Sequence, residues 1–100
     1  MSASSANITV LYFAAASTAV GLSKELIPIP AQDFYLSSLP SLLVERHANL
    51  RGAKIGEQLR DILDSSQWSV DAEMVDEEHL SKVELRDGME VAVICPVSGG

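Results

Sequence analysis

Val91-Ala92-Val93-Ile94-Cys95-Pro96-Val97-Ser98-Gly99-Gly100 closes this sequence, and its reading decides the fold. Met89 to Cys95 is an almost unbroken apolar run, so it reads as a strand covered on both faces, central in a sheet. Pro96, which has no N–H to donate, ends it. Gly99 and Gly100 lack a Cβ, so this tail fits a channel too narrow for side chains and presents its carboxylate inside another protein. Working back to the start, Ile8-Thr9-Val10-Leu11-Tyr12-Phe13 is β-branched and aromatic with little polar alternation, and is expected to be a second central strand.

Between these strands the pattern changes. Ala14 to Val20 forms a short helical turn closed by Gly21, and Lys24 to Pro30 is a strand whose two prolines confine it to an edge. Ser37 or Ser38 caps a helix running to about Asn49, with Leu39, Leu42, Leu43 and Leu50 near one face. A second helix runs from about Ala53 to Ser65 with Ile55, Leu59, Ile62 and Leu63 on its apolar stripe, and Gly56 weakens its start. Trp68, Val70, Ala72 and Met74 alternate with polar residues as one half-buried strand, and Asp87-Gly88 marks a turn into the last strand. The order β-β-α-α-β-β, with the first and last strands side by side at the centre and the helices across one face, is an α+β domain. Residues 1–100 make one domain, with residues 1–6 a loose start and 96–100 an extended tail.

Composition narrows the function. The chain has 100 residues, 47% of them apolar, a net charge of −7 and a lone cysteine. That is enough for one core without metal or disulfide help, and Cys95 suits a reducing, cytosol-like compartment. The acidic balance argues against nucleic acid and for a basic protein partner. The apolar stretch from Ile8 to Leu22 has no preceding Lys or Arg and is too short to span a bilayer, so neither secretion nor a membrane is expected.

No side-chain set makes a catalytic constellation. His47 and His79 lack neighbours at ligand spacing and read as solvated, with no metal site. Asp71, Glu73, Asp76, Glu77 and Glu78 form an acidic stretch without calcium-loop spacing, read as a solvated face with a docking surface as the alternative. Cys95 lies in an apolar strand without an evident base and reads as a small buried hydrophobe. Gly52-Ala53-Lys54-Ile55-Gly56 lacks the phosphate-loop pattern. By elimination the reactive group is the terminal carboxylate of Gly100, ionised at neutral pH given an ordinary pKa of about 3.5. On an activating enzyme it attacks the α-phosphate of ATP, and the acyl-adenylate then accepts a sulfur, oxygen or nitrogen nucleophile. This chemistry requires Gly100 to be terminal.

The ending from Val91 to Gly100 resembles that of the small subunit of molybdopterin synthase, the MoaD-type sulfur carriers, which close on an apolar strand, Pro-Pro, Val or Ile, a small residue and Gly-Gly. Asp87-Gly88 and Ile8 to Ala14 match as well; Cys95 stands where the family usually has its first proline, and the helix from Ile55 to Ser65 is longer than its members lead one to expect. The resemblance implies a β-grasp, ubiquitin-like fold. It implies that Gly100 is adenylated by an E1-like enzyme using ATP and converted to a thiocarboxylate, a 1-thioglycine. Gly99 gives clearance, and Pro96, Val97 and Ser98 line the tail. The sulfur then passes to cyclic pyranopterin monophosphate inside the large synthase subunit, which supplies the catalytic pocket in a heterotetramer of two small and two large subunits. On this reading the chain is cytosolic, a subunit and sulfur donor rather than a complete enzyme, with no permanently bound cofactor. Phe13 and Ile94, flanking the tail's exit, are the expected apolar docking patch, with pure core as the alternative. Two other readings stay open: a ubiquitin-like carrier for tRNA thiolation or thiazole synthesis, and a non-catalytic β-grasp interaction module with an incidental tail.

Overall fold

The strands pair as the apolar patterning demands. In the computed structural model, which describes residues 6–29 and 33–95, β1 (Asn7–Tyr12) and β5 (Glu90–Ile94) lie side by side and parallel at the centre of a five-stranded sheet. β2 (Lys24–Pro28) is antiparallel to β1 on one edge. On the other side, β3 (Gln67–Val70) pairs antiparallel with β5, and β4 (Glu73–Val75) is the second edge, giving the order β2-β1-β5-β3-β4. This is the mixed sheet expected of a β-grasp domain. Pro28 closes an edge strand, where a missing N–H costs no ladder bond.

Three α-helices lie among the described residues, α1 (Ala14–Val20), α2 (Leu39–Arg51) and α3 (Ala53–Asp64). Gly21 caps α1 in the left-handed conformation at φ 76°. The register explains the core. Ile8 faces Ile27, Val10 faces Val91 which faces Val70, and Tyr12 faces Val93 which faces Trp68. Side chains alternate along a strand, so these rows point to one face. They form a single buried cluster with Leu36, Leu39, Leu43, Leu59 and Leu63.

The opposite face differs from the expectation of strands covered on both sides. Its rows are Thr9–Leu26 and Leu11–Ala92–Ser69–Met74, with Leu26 61% and Met74 55% exposed. The helices cover only the face bearing Ile8, Val10 and Tyr12. The stripe on α2 is also redrawn: Leu39, Leu43, Val44 and His47 are buried while Leu50 is 68% exposed.

The expected strand through Trp68 and Met74 is a hairpin. Asp71 and Ala72 both take left-handed angles, φ 50° and 72°, which turn the chain as a two-residue hairpin requires. Asp71 Oδ1 accepts the Glu90 N–H at 3.1 Å, and its own N–H donates to the Glu90 carbonyl at 2.8 Å. That anchorage to β5 stops β3 from running on. The turn at Asp87-Gly88 is where the sequence puts it. The Gly88 N–H donates to the Asn7 carbonyl at 2.9 Å, and Asp87 Oδ1 accepts the Asn7 N–H at 2.8 Å, so it fixes β1 against the start of β5.

Gly56 is a packing residue, not merely a weak helix former. A Cβ there would lie 2.7 Å from the Ala48 Cβ, so α3 approaches α2 more closely than alanine permits. Helix propensity alone favours Gly56→Ala by about 1 kcal/mol, but overpacking costs about 1–3 kcal/mol. We expect Gly56→Ala to lower the thermal midpoint; a rise would show that the helices separate without penalty.

Candidate functional site

The tail's root is where β1 and β5 end together. The ladder's last parallel pair is Tyr12–Val93, and the chain leaves it on one side as Phe13 and on the other as Ile94 and Cys95. Phe13 is 50% exposed; Ile94 is half-buried and pairs with Gln67 of β3. Both proposed docking residues therefore sit at the end of the sheet from which the tail departs. The Cys95 thiol is half-buried, not fully covered, and donates to the Phe13 carbonyl at 3.3 Å. Ser66 Oγ, donating to the Ile62 carbonyl at 2.6 Å, lies 3.6 Å from the same sulfur. The last strand is thus tied to β1's exit and to the α3–β3 connection. Ala14, at φ 51°, turns the chain sharply into α1 at this corner, an angle unfavourable for a residue with a Cβ. Pro96, Val97, Ser98, Gly99 and Gly100 lie outside the described residues.

Behind this corner is a polar cluster that sequence reasoning missed. Glu25 of β2 is paired with Val10 and therefore points to the helix-covered face. Its Oε1 accepts the Tyr12 hydroxyl at 2.8 Å and lies 2.8 Å from His47 Nε2; its Oε2 accepts Arg46 Nε at 3.0 Å. His47, expected to be solvated, is only 2% exposed, with its ring edge-on to Tyr12 at 6.3 Å. The reason is the close approach of α2 to β1 and β2, which buries that position of the helix. Donation from Nε2 to Glu25 leaves Nδ1 buried without a partner. A signal was present in the sequence: Glu25 shares a strand face with Ile27, and a carboxylate on a core face needs donors.

Electrostatics follow from that geometry. Burial alone would raise the Glu25 carboxyl, but hydrogen bonds from Tyr12, Arg46 and His47 outweigh it and hold it below its ordinary value. Burial, reinforced by the hydrogen bond to Glu25, pushes the Tyr12 phenol far up, so it remains a donor. Elsewhere, the ligand atoms of Asp76, Glu78 and His79 converge, but all three are exposed on the acidic surface. No helix among the described residues is long and apolar enough to cross a membrane.

Because the folded Glu25 carboxyl titrates below its unfolded value of 4.5, its stabilisation is complete above that pH and is lost as pH falls through the lowered folded value. Urea unfolding is expected to find Glu25→Gln about 2 kcal/mol less stable than the parent at pH 7. The gap should narrow below about pH 4.5. A gap constant down to pH 3 would rule out the charged form as the stabilising one.

No protein-family profile matches the chain. Individual proteins do. The molybdopterin synthase sulfur carrier subunit of Mycosarcoma maydis is 38% identical over 100 residues, covering 100% of both chains. The complex of subunits 1 and 2 of molybdopterin-converting factor from Helicobacter pylori contains a chain that superimposes with a TM-score of 0.58 at 21% identity, over 94% of this chain and 99% of that one. Small archaeal modifier protein 1 of Methanosarcina acetivorans superimposes with a TM-score of 0.64 at 18% identity, over 98% and 100%. At such identities these two structures establish the β-grasp fold alone. The full-length identity of 38% establishes the family: this protein belongs to the molybdopterin synthase sulfur carrier subunits.

Proposed function

We propose that this chain carries sulfur on its C-terminal glycine during molybdenum cofactor biosynthesis, and that Gly100 is the residue at which sulfur is gained and lost. The observation that supports the reading is the parallel β1–β5 pair, which puts β5, the strand that precedes the glycine ending in sequence, at the centre of the sheet. A tail rooted in a rigid core strand is positioned for insertion into a narrow channel, and glycine is the residue that fits one. The absence of a catalytic side-chain set at the described end of β1 and β5 supports the same view. The Cys95 thiol there is engaged with the Phe13 carbonyl.

In this mechanism an E1-like enzyme binds ATP. A Gly100 carboxylate oxygen attacks the α-phosphate, the bond to the β-phosphate breaks, and pyrophosphate leaves. A sulfide-level donor then displaces AMP from the acyl carbon, leaving the thiocarboxylate, a 1-thioglycine. In the large synthase subunit that sulfur passes to cyclic pyranopterin monophosphate, and water returns Gly100 to a carboxylate. Gly99 supplies clearance, while Pro96, Val97 and Ser98 line the tail and contact the partner. Phe13 and Ile94 form the apolar contact at its mouth, consistent with the exposure of Phe13. The assembly is two small and two large subunits in the cytosol.

Incubation with the E1-like enzyme, ATP and sulfide should add the mass of one oxygen-to-sulfur exchange, confined to the C-terminal peptide. An unchanged mass with an active enzyme would reject the carrier reading. Removal of Gly100 should abolish sulfur transfer, whereas a non-catalytic interaction module would keep its binding unaltered. Phe13→Ala should weaken the complex with the large subunit by about 1–2 kcal/mol in calorimetry with little change in thermal stability. An unaltered affinity would remove Phe13 from the interface.

A further inference from the structure

Beside the tail's root lies a cavity of about 650 Å³ that the carrier chemistry leaves unused. It opens between the end of α3, the β3–β4 hairpin and the segment that follows β4. Trp68, Met74 and Leu80 give it an apolar wall, while Asp64, Asp76 and Glu77 place three exposed carboxylates around it. None of the described residues lining it is Lys or Arg, and His79, outside the lining, has its Nδ1 3.8 Å from Asp76 Oδ2. Ser66 and Gln67 belong to the same wall. Ser66 lies against the Cys95 sulfur and Gln67 pairs with Ile94, so the cavity adjoins the point where β5 gives way to the tail.

We infer that this cavity receives an arginine or lysine side chain of the large synthase subunit, seated beside the mouth of the channel that takes the tail. The inference rests on the carrier reading and adds a contact to it. An aliphatic stem against Trp68 and Leu80 with a cationic head among carboxylates is how long basic side chains bury themselves. The acidic surface thereby gains a use at one place: it draws a basic partner toward the side of the molecule where the tail begins. Because the cavity adjoins the end of β5 through Ser66 and Gln67, a partner that docks at that end of the sheet meets the cavity as well.

The test measures affinity of the full chain for the large subunit by calorimetry, at low and moderate salt. The cavity variant is D64N/D76N/E77Q. Its control is E45Q/E57Q/D61N, which removes the same charge from helix surfaces outside the cavity. The cavity variant should bind about tenfold or more weakly at low salt, with a shallower salt dependence. The control should stay near the parent, and all three proteins should melt alike. Equal losses in the two variants would mean that only overall charge matters, and unchanged affinity in the cavity variant would mean that nothing cationic enters; either result overturns the inference and leaves the carrier reading standing. If the parent itself forms no complex with the large subunit, that reading falls and the inference falls with it.

Discussion

The parallel pairing of β1 with β5 is the constraint on which the rest depends. Parallel neighbours cannot be joined by a tight turn, so the whole chain between them must serve as the crossover. That crossover holds every helix, both edge strands and β3. The pair supplies Ile8, Val10, Tyr12, Val91 and Val93 to the helix-covered face, and all five are withdrawn from water. At about 1.5–3 kcal/mol for each large apolar side chain, this central strip is a large part of the drive to fold. Two of these five, Val91 and Val93, lie on β5, the strand that leads in sequence to Pro96.

The two ends of the sheet are secured by different means. At the start of β1, the backbone of Asn7 meets Asp87 and Gly88, so the turn before β5 is also the clamp on β1. At the far end, Tyr12 reaches Glu25, which in turn binds Arg46 and His47, joining β1, β2 and α2. A partly buried carboxylate holding three donors loses stabilisation when any one of them is removed. This cluster therefore fixes how α2 sits over the edge strand, and with it the shape of the corner beside Phe13. The edge strands carry their own protection: Lys24 and Pro28 on β2, and the shortness of β4.

Function and fold use the molecule differently. The helix-covered face is spent on the core, while Leu26 and Met74 of the opposite face and the end bearing Phe13, Ile94 and Cys95 are left accessible or half-accessible.

The sequence by itself determined the strands that matter most. Runs such as Ile8–Phe13 and Met89–Cys95 have too little polar alternation for anything but the middle of a sheet, Lys24–Pro28 carries a proline suited to an edge, and Asp87-Gly88 turns wherever it stands. The glycine ending and its resemblance pointed to the family that full-length identity then established. What only the tertiary structure decided were the features that depend on a neighbour. One alternating pattern through Met74 folded into two strands, because β5 offered Asp71 a better partner than a longer strand would have. His47 went inside because Glu25, twenty-two positions earlier in sequence, faces it from β2 beneath α2. Gly56 became a point of helix contact because Ala48 lies against it. Local patterning specifies what a segment is, by the periodicity of its own side chains; which of its polar and small residues are needed is fixed only by what packs against them.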